Sequence, residues 1–274
     1  NGLANFKTVF VSNSGTLFNT FTFNALWNTI IMWLMNFLPQ ILLALLLAVW
    51  FTDTRVKLKA QGAYKILTFM PNIITAATIS VLFYSLFNFP NGPINQALIY
   101  LGIIKDPYNF FLSKWATRGI ISFINFWMWY GNTMIVLTAG VLGISPSLFE
   151  AARVDGATSG QIFRNITLPL LRPIMLFSLV NSAIGGLQMY DIPKLLTNSG
   201  LGDPDFSTRT ITMYIRELAF TGARQMGKAS AVSVVLFIVT TIFSLILFYI
   251  MRDKDAIREK KEIKAAQKAR KEAK

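Results

Sequence analysis

Amide and aromatic side chains interrupt two long apolar stretches of this sequence, and they are the residues best suited to bind a ligand. Amides hydrogen-bond hydroxyl groups, and aromatic rings cover the apolar faces of a sugar. The pattern predicts a path for a neutral, hydroxyl-rich solute, although the same residue types also join helices and form interfacial belts. The candidate path residues are Asn125, Tyr130, Asn181, Gln188, Tyr190 and, at the outer margin, Asp191.

The composition argues against catalysis and metal binding by this chain. Its 274 residues include no Cys and no His. This removes thiolate chemistry, the commonest zinc and haem ligands and the commonest general base. The HExxH and GxSxG patterns of metal and serine hydrolases are also absent from the sequence. We therefore predict no catalytic residue and no metal site.

The elements that must position the polar residues are membrane-spanning helices. Of the 274 residues, 53% are hydrophobic and only 14% are charged, whereas a soluble domain carries about 25% charged residues. A helix needs about 20 apolar residues to cross a bilayer. The fold class is predicted as all-α, a polytopic transmembrane helical bundle in a domain at 1–251, followed by a basic tail at 252–274. The five predicted spans are 24–51, 64–87, 116–142, 170–196 and 229–251.

Lysine and arginine residues sort to one side of these spans. They concentrate between the first two spans, between the third and fourth, and in the tail at 252–274. By the positive-inside rule this side is cytoplasmic, so the N-terminal segment lies outside. The net charge of +13 then indicates attraction to anionic lipid rather than to nucleic acid. Because an outer N-terminus is difficult to insert alone, we expect a sixth span upstream in the intact protein.

The cytoplasmic connection at 145–169, SPSLFEAARVDGATSGQIFRNITLP, is predicted to be a helix–turn–helix. Ser145 followed by Pro146 is typical of a helix start, and Gly156 of a helix end. A second short helix is predicted over 159–166, with its end at Leu168-Pro169. The small alanines between these signals would let a partner's backbone approach closely.

This connection resembles the EAA motif of permease subunits of ABC importers, in particular those of the multiple-sugar and maltose type. The motif's spacing is kept throughout: EAA, three residues, Gly, nine residues, Ile-x-Leu-Pro. The later segments SAIGGLQMYDIPKLLT and AFTGARQMGKASAVSVVLF also resemble that subgroup, so the resemblance covers most of the chain. The matching residues are Glu150, Ala151, Ala152, Gly156, Ile166, Leu168 and Pro169.

The resemblance implies that the first helix of the connection is a coupling helix that docks on an ATPase subunit. Glu150 would make a polar contact there, Ala151 and Ala152 would permit close packing, and Gly156 would make the turn. It further implies a second, related permease subunit, two ATPase subunits, an extracytoplasmic solute-binding protein, a sugar substrate and the cell membrane of a prokaryote. No GxxxxGK[ST] loop occurs, so ATP and Mg would be bound by the ATPase and this chain would carry no cofactor.

Two alternatives remain open from the sequence. The first is an ABC permease for another solute, such as glycerol phosphate, which should require basic residues near the pocket. The second is a secondary transporter. Such transporters keep charged residues inside their spans, and the middles of the five predicted spans are uncharged.

Overall fold

The computed structural model describes residues 3–11, 20–53, 61–197 and 199–251. The predicted basic tail at 252–274 lies outside the described residues. Within the described residues, helices joined by turns and loops make up the structure, and no strand is present. Short 3₁₀ turns lie at Met70–Ile73 and Phe110–Leu112, and a π-helical turn lies at Phe163–Thr167. The α-helices are α1 (Ala4–Phe10), α2 (Thr20–Thr52), α3 (Gln61–Phe69), α4 (Ala76–Leu86), α5 (Pro93–Tyr100), α6 (Lys114–Leu142), α7 (Pro146–Val154), α8 (Ser159–Ile162), α9 (Leu168–Leu170), α10 (Arg172–Leu187), α11 (Asp191–Leu196), α12 (Ile211–Phe220) and α13 (Met226–Met251).

Four of the predicted spans are confirmed as helical segments long and apolar enough to cross a membrane. Within the described residues these segments are Phe21–Thr52, Lys114–Leu142, Ser159–Leu196 and Met226–Ile250. Their lengths of 25 to 38 residues exceed the roughly 20 residues that a bilayer requires. The bundle is therefore all-α and polytopic, as the sequence predicts.

The second predicted span is not one straight helix. Gln61–Ile73 and Ala76–Leu86 meet at a bend of 90°. Pro71 lies in the 3₁₀ turn before the bend, Ile74 is extended, and the Thr75 side chain caps α4 by accepting a hydrogen bond from the Thr78 amide. The two helices together are apolar enough for one span, so mean hydropathy alone does not mark the break.

The helices α2 and α6 pack along each other and form the centre of the bundle. Met32 of α2 lies in one fully buried cluster with Ile121 and Ile124 of α6. Polar bonds also join the helices. Among them, Gln40 Nε2 donates to Thr133 Oγ1 at 2.7 Å, and Ser122 Oγ donates to the Met32 carbonyl at 3.2 Å.

The predicted helix end at Leu168-Pro169 is wrong. The Thr158 side chain and Gln161 form a capping box at the start of α8, and the chain then passes through the π-helical turn into α9 and α10. Pro169 lies in the first turn of α9, where its missing amide donor is tolerated. The helical segment continues, since the Leu171 amide donates to the Thr167 carbonyl at 2.9 Å. The connection at 145–169 therefore runs directly into the fourth span.

Candidate functional site

A cavity of about 490 Å³ opens between α2, α6 and α10, with residues 188–192 along one side. The polar part of its lining is dominated by side-chain amides. Of the lining residues, one is charged, Asp191. Such a surface suits a ligand rich in hydroxyl groups and offers no cation to a phosphate. The six amides are Asn36, Gln40, Asn125, Asn132, Asn181 and Gln188.

Five of the six path residues predicted from the sequence line this cavity. They are Asn125, Asn181, Gln188, Tyr190 and Asp191. Tyr130 is not among the lining residues, and its ring stacks on Phe126 with centroids 5.7 Å apart. At 3.6 residues per turn, five positions along a helix rotate the side chain by about 140°. Tyr130 therefore points away from the face that carries Asn125, and the structure does not support it as a path residue.

The path residues predicted from the sequence include none from the first span. Asn36 and Gln40 of α2 line the cavity beside Trp33. The two amides are four residues apart, so they share one helix face. That spacing of amides within an otherwise apolar stretch was the available signal. Trp129 of α6, about half exposed, also lines the cavity and offers a flat aromatic surface.

The hydrogen bonds of the amides orient their oxygens. Asn36 Nδ2 donates to the Met32 carbonyl at 3.2 Å, Asn125 Nδ2 donates to the Ile121 carbonyl at 2.8 Å, and Gln40 Nε2 donates to Thr133. The carbonyl oxygens of these three amides receive no hydrogen bond from the described residues. They can therefore accept hydrogen bonds from the hydroxyl groups of a ligand.

Trp33 forms a fixed wall of the cavity. Its indole Nε1 donates to Ser182 Oγ at 3.2 Å, and its ring stacks on Phe37 and meets the edge of Phe243. Gly186 lies against the same ring, so that a Cβ atom at this position would overlap Trp33. The absence of a side chain at Gly186 is what lets α10 approach α2 here.

The helix α7 begins and ends as the sequence predicts. Pro146 is its first residue, after Ser145. Gly156 has φ of +77°, and the Ala157 amide donates to the Ala152 carbonyl at 2.9 Å, which closes the helix end. A left-handed residue at this position favours glycine because it has no Cβ atom.

The exposed surface of α7 and its anchor lie on different sides of the helix. Val154 is 88% exposed and Leu148 is 46% exposed, and Glu150 and Ala151 are exposed beside them. Phe149 instead packs against the buried cluster of Ile144 and Leu171, at the ends of α6 and α10. A force applied to the exposed face of α7 would thus reach both spans through Phe149.

The remaining motif residues lie where the connection joins the fourth span. Ile166 is in the π-helical turn, and Leu168 and Pro169 are in α9; all three are half-buried. Ala152 is also half-buried, close to the end of α7. These residues shape the junction behind α7 more than its outer surface.

Comparison with known proteins agrees with this architecture. Residues 14–254 match the binding-protein-dependent transport system inner membrane component family, and the chain belongs to this family of ABC-importer permeases. The lactose transport system permease protein LacF of Rhizobium radiobacter is 32% identical over 84% of this chain and 76% of LacF. The arabinooligosaccharides transport system permease protein AraP of Bacillus subtilis (strain 168) is 28% identical over 86% of this chain and 74% of AraP.

A solved structure shows the same fold. A chain of a bacterial ABC transporter involved in the import of the acidic polysaccharide alginate superposes with a TM-score of 0.78. The two chains are 25% identical, and the match covers 92% of this chain and 84% of the other. The multi-pass helical bundle and the role of a transport subunit are thereby established for this chain.

Proposed function

We propose that this permease conducts an oligosaccharide, delivered by an extracytoplasmic solute-binding protein, across the cell membrane of a prokaryote. The observation that carries the proposal is the cavity, in which six amides and a fixed indole ring surround about 490 Å³. This volume is within the range of small-molecule sites, roughly 300–1,000 Å³. Hydroxyl groups would bond to the amide oxygens, and the rings of Trp33 and Trp129 would cover apolar sugar faces.

The relatives support a sugar as the class of solute. LacF is named for lactose, AraP for arabinooligosaccharides, and the structural neighbour for alginate. These solutes differ in their sugar residues and share a glycosidic chain of hydroxyl-rich rings. The cavity has the same general character, because its hydrogen-bonding groups are neutral amides that do not select one particular ring.

The energy for transport would come from a partner. We propose that two ATPase subunits bind ATP and Mg, that α7 docks on one of them, and that a second, related permease subunit completes the path. The exposed face of α7 at Leu148 and Val154 would contact the ATPase. Phe149 would pass the movement to α6 and α10, two of the helices that line the cavity. A change in the angle between these helices would open or close the cavity.

The test is uptake by the importer reconstituted in liposomes with its binding protein. We expect uptake of a labelled oligosaccharide to require ATP and to persist without an ion gradient. Asn181→Ala and Gln188→Ala should each lower uptake about tenfold, since one buried hydrogen bond contributes about 1–3 kcal/mol. Tyr130→Phe is the matched control outside the cavity and should leave uptake unchanged. ATP-independent uptake driven by an ion gradient would contradict the proposal.

A further inference from the structure

A second, smaller cleft lies beside the cavity and shares a wall with it. Its volume is about 170 Å³, and it lies between α11, α12 and the connection at 199–210. Tyr190 lines both the cleft and the cavity. Tyr190 therefore lies at the boundary between the amide-lined cavity and a different chemical environment.

The cleft is electropositive. Its lining contains three cationic side chains, Lys194, Arg209 and Arg216, and one carboxylate, Glu217. Arg209 Nη1 pairs with Glu217 Oε2 at 3.0 Å, so these two charges offset each other. The Lys194 Nζ atom donates to the Gly200 carbonyl at 2.7 Å, and this neutral acceptor leaves its charge in place. Arg216, which is exposed, lies over the Tyr190 ring at 5.1 Å.

The pairing of Arg209 with Glu217 is fixed by the surrounding rings. The Arg209 side chain is 6% exposed, and its guanidinium lies 4.1 Å from the Phe206 ring centroid and 5.2 Å from that of Tyr214. Burial raises the pKa of Tyr214, so this neighbour stays a neutral phenol. Because Glu217 is already engaged, Lys194 and Arg216 keep an excess of positive charge at the mouth of the cleft.

We propose that this cleft binds a carboxylate on a terminal acidic residue of the oligosaccharide whose neutral residues occupy the cavity. The inference rests on the proposed function. Arginine presents a planar fork that matches a carboxylate, and Lys194 adds a second cation. Leu201, Met213 and Phe220 supply apolar surface for the ring that carries the carboxylate. The shared Tyr190 favours the transported sugar, rather than a partner protein, as the source of the charge.

The test compares two probes on the complete importer in lipid nanodiscs without its binding protein. The probes are a neutral trisaccharide and the same trisaccharide ending in a uronate, made in glucose and galactose series, and binding is measured by equilibrium dialysis. We expect about tenfold tighter binding of the uronate probe, the effect of one charge-assisted hydrogen bond. Arg216→Gln and Lys194→Gln should each reduce this preference and leave the affinity for the neutral probe unchanged.

Lys114→Gln is the matched control. Lys114 forms an exposed ion pair with Asp205 at 3.2 Å and does not line the cleft, so its removal should preserve the preference. Equal affinities for both probes, unchanged by Arg216→Gln, would overturn the subsite and leave the oligosaccharide path intact. Failure of both probes to bind would count against the path itself. If Arg216→Gln weakens association with the binding protein without changing the probe preference, the cleft serves a protein carboxylate and the proposal is wrong.

Discussion

Arg118 of α6 and Asn28 of α2 share a hydrogen bond of 2.6 Å, from Nη2 to Oδ1. Both side chains also hold the connection at 199–210. Arg118 Nε donates to the Ser207 carbonyl at 2.9 Å, and Asn28 Nδ2 donates to the Phe206 carbonyl at 2.8 Å. One network thus ties two spans to the connection that borders the electropositive cleft.

Removing Arg118 should loosen this connection. Arg118→Gln leaves Asn28 and the Ser207 carbonyl with fewer donors, and we expect a loss of about 1–3 kcal/mol in stability. The measurements are the melting temperature of the purified complex and the rate of proteolysis within 199–210. Lys114→Gln removes an exposed ion pair of the same region and should cost about 0–1 kcal/mol. Equal melting temperatures for the two variants would contradict a structural role for Arg118.

Alanine substitutions at two adjacent glycines of α10 should have opposite effects on the stability of the protein. A Cβ atom at Gly185 would meet no atom of the described chain within 4 Å, whereas one at Gly186 would overlap the Trp33 ring. Gly185→Ala should stabilise the helix by about 0.5–1 kcal/mol. Gly186→Ala should destabilise the protein by about 1–3 kcal/mol, because Trp33 or α10 must move. Thermal unfolding in detergent compares the pair, and stabilisation by both changes would show that the contact with Trp33 is not close.

Substitutions in the turn after α7 should separate the effect of backbone conformation from the effect of side-chain volume. A side chain at Gly156 has space, but its φ of +77° disfavours β-branched residues, with a strain of about 1–3 kcal/mol. Gly156→Val should impair coupling of ATP hydrolysis to uptake or release the ATPase, whereas Gly156→Asn should retain most activity because Asn tolerates this region. Gly160→Ala, also in open space, is the control. Co-purification of the ATPase and reconstituted uptake are the measurements.

Substitutions at Ala152 test the close packing that is expected around α7. Ala152→Trp should block the close approach of the ATPase or displace α7 from the ends of α6 and α10, and either effect should reduce uptake. The variant should still insert into the membrane. Ala152→Ser is the matched control of similar volume. Wild-type uptake and wild-type ATPase retention by Ala152→Trp would argue against this connection as the coupling element.

The absence of cysteine from the sequence makes the orientation directly measurable. Tyr100 is 91% exposed and Val154 is 88% exposed, and the charge pattern predicts that they lie on opposite sides of the membrane. A membrane-impermeant maleimide should label Tyr100→Cys in intact cells and Val154→Cys in inverted vesicles, with the permease produced without the ATPase that is proposed to cover Val154. The buried Ala44→Cys should react in neither. Labelling of Val154→Cys from outside would reverse the orientation.

The spans and the start of α7 could be predicted because their signals are local. A long apolar run acts through the hydropathy of its own side chains, whereas a proline after a serine and a glycine at a helix end act through the local backbone. Asn125 of α6 and Asn181 of α10, which line the cavity, could be selected by residue type within an apolar run. Residue type does not carry helix rotation, which separates Tyr130 from Asn125 and leaves it outside the lining.

The features that the sequence did not reveal depend on contacts between distant parts of the chain. The 90° bend between α3 and α4 lies in a segment that is apolar enough for one span. A proline such as Pro71 does not identify the bend, because prolines also occur in unbroken spans. The electropositive cleft is formed only when α11 and α12 bring Lys194 near Arg216, residues from separate parts of the chain. Neither residue lies in the middle of a span, so a search for charged residues within the spans did not reveal the cleft.

The π-helical turn at Phe163–Thr167 joins the connection at 145–169 to the fourth span. Such a turn holds one residue more than an α-helical turn. The turn takes up this extra residue as a bulge, so deletion of one residue within it would restore ordinary α-helix and leave the faces on either side in nearly the same rotation. The angle between the surface proposed for the ATPase and the wall proposed for the solute therefore tolerates a one-residue deletion here, whereas the same deletion in a neighbouring α-helical turn would rotate the two surfaces by about 100° relative to each other.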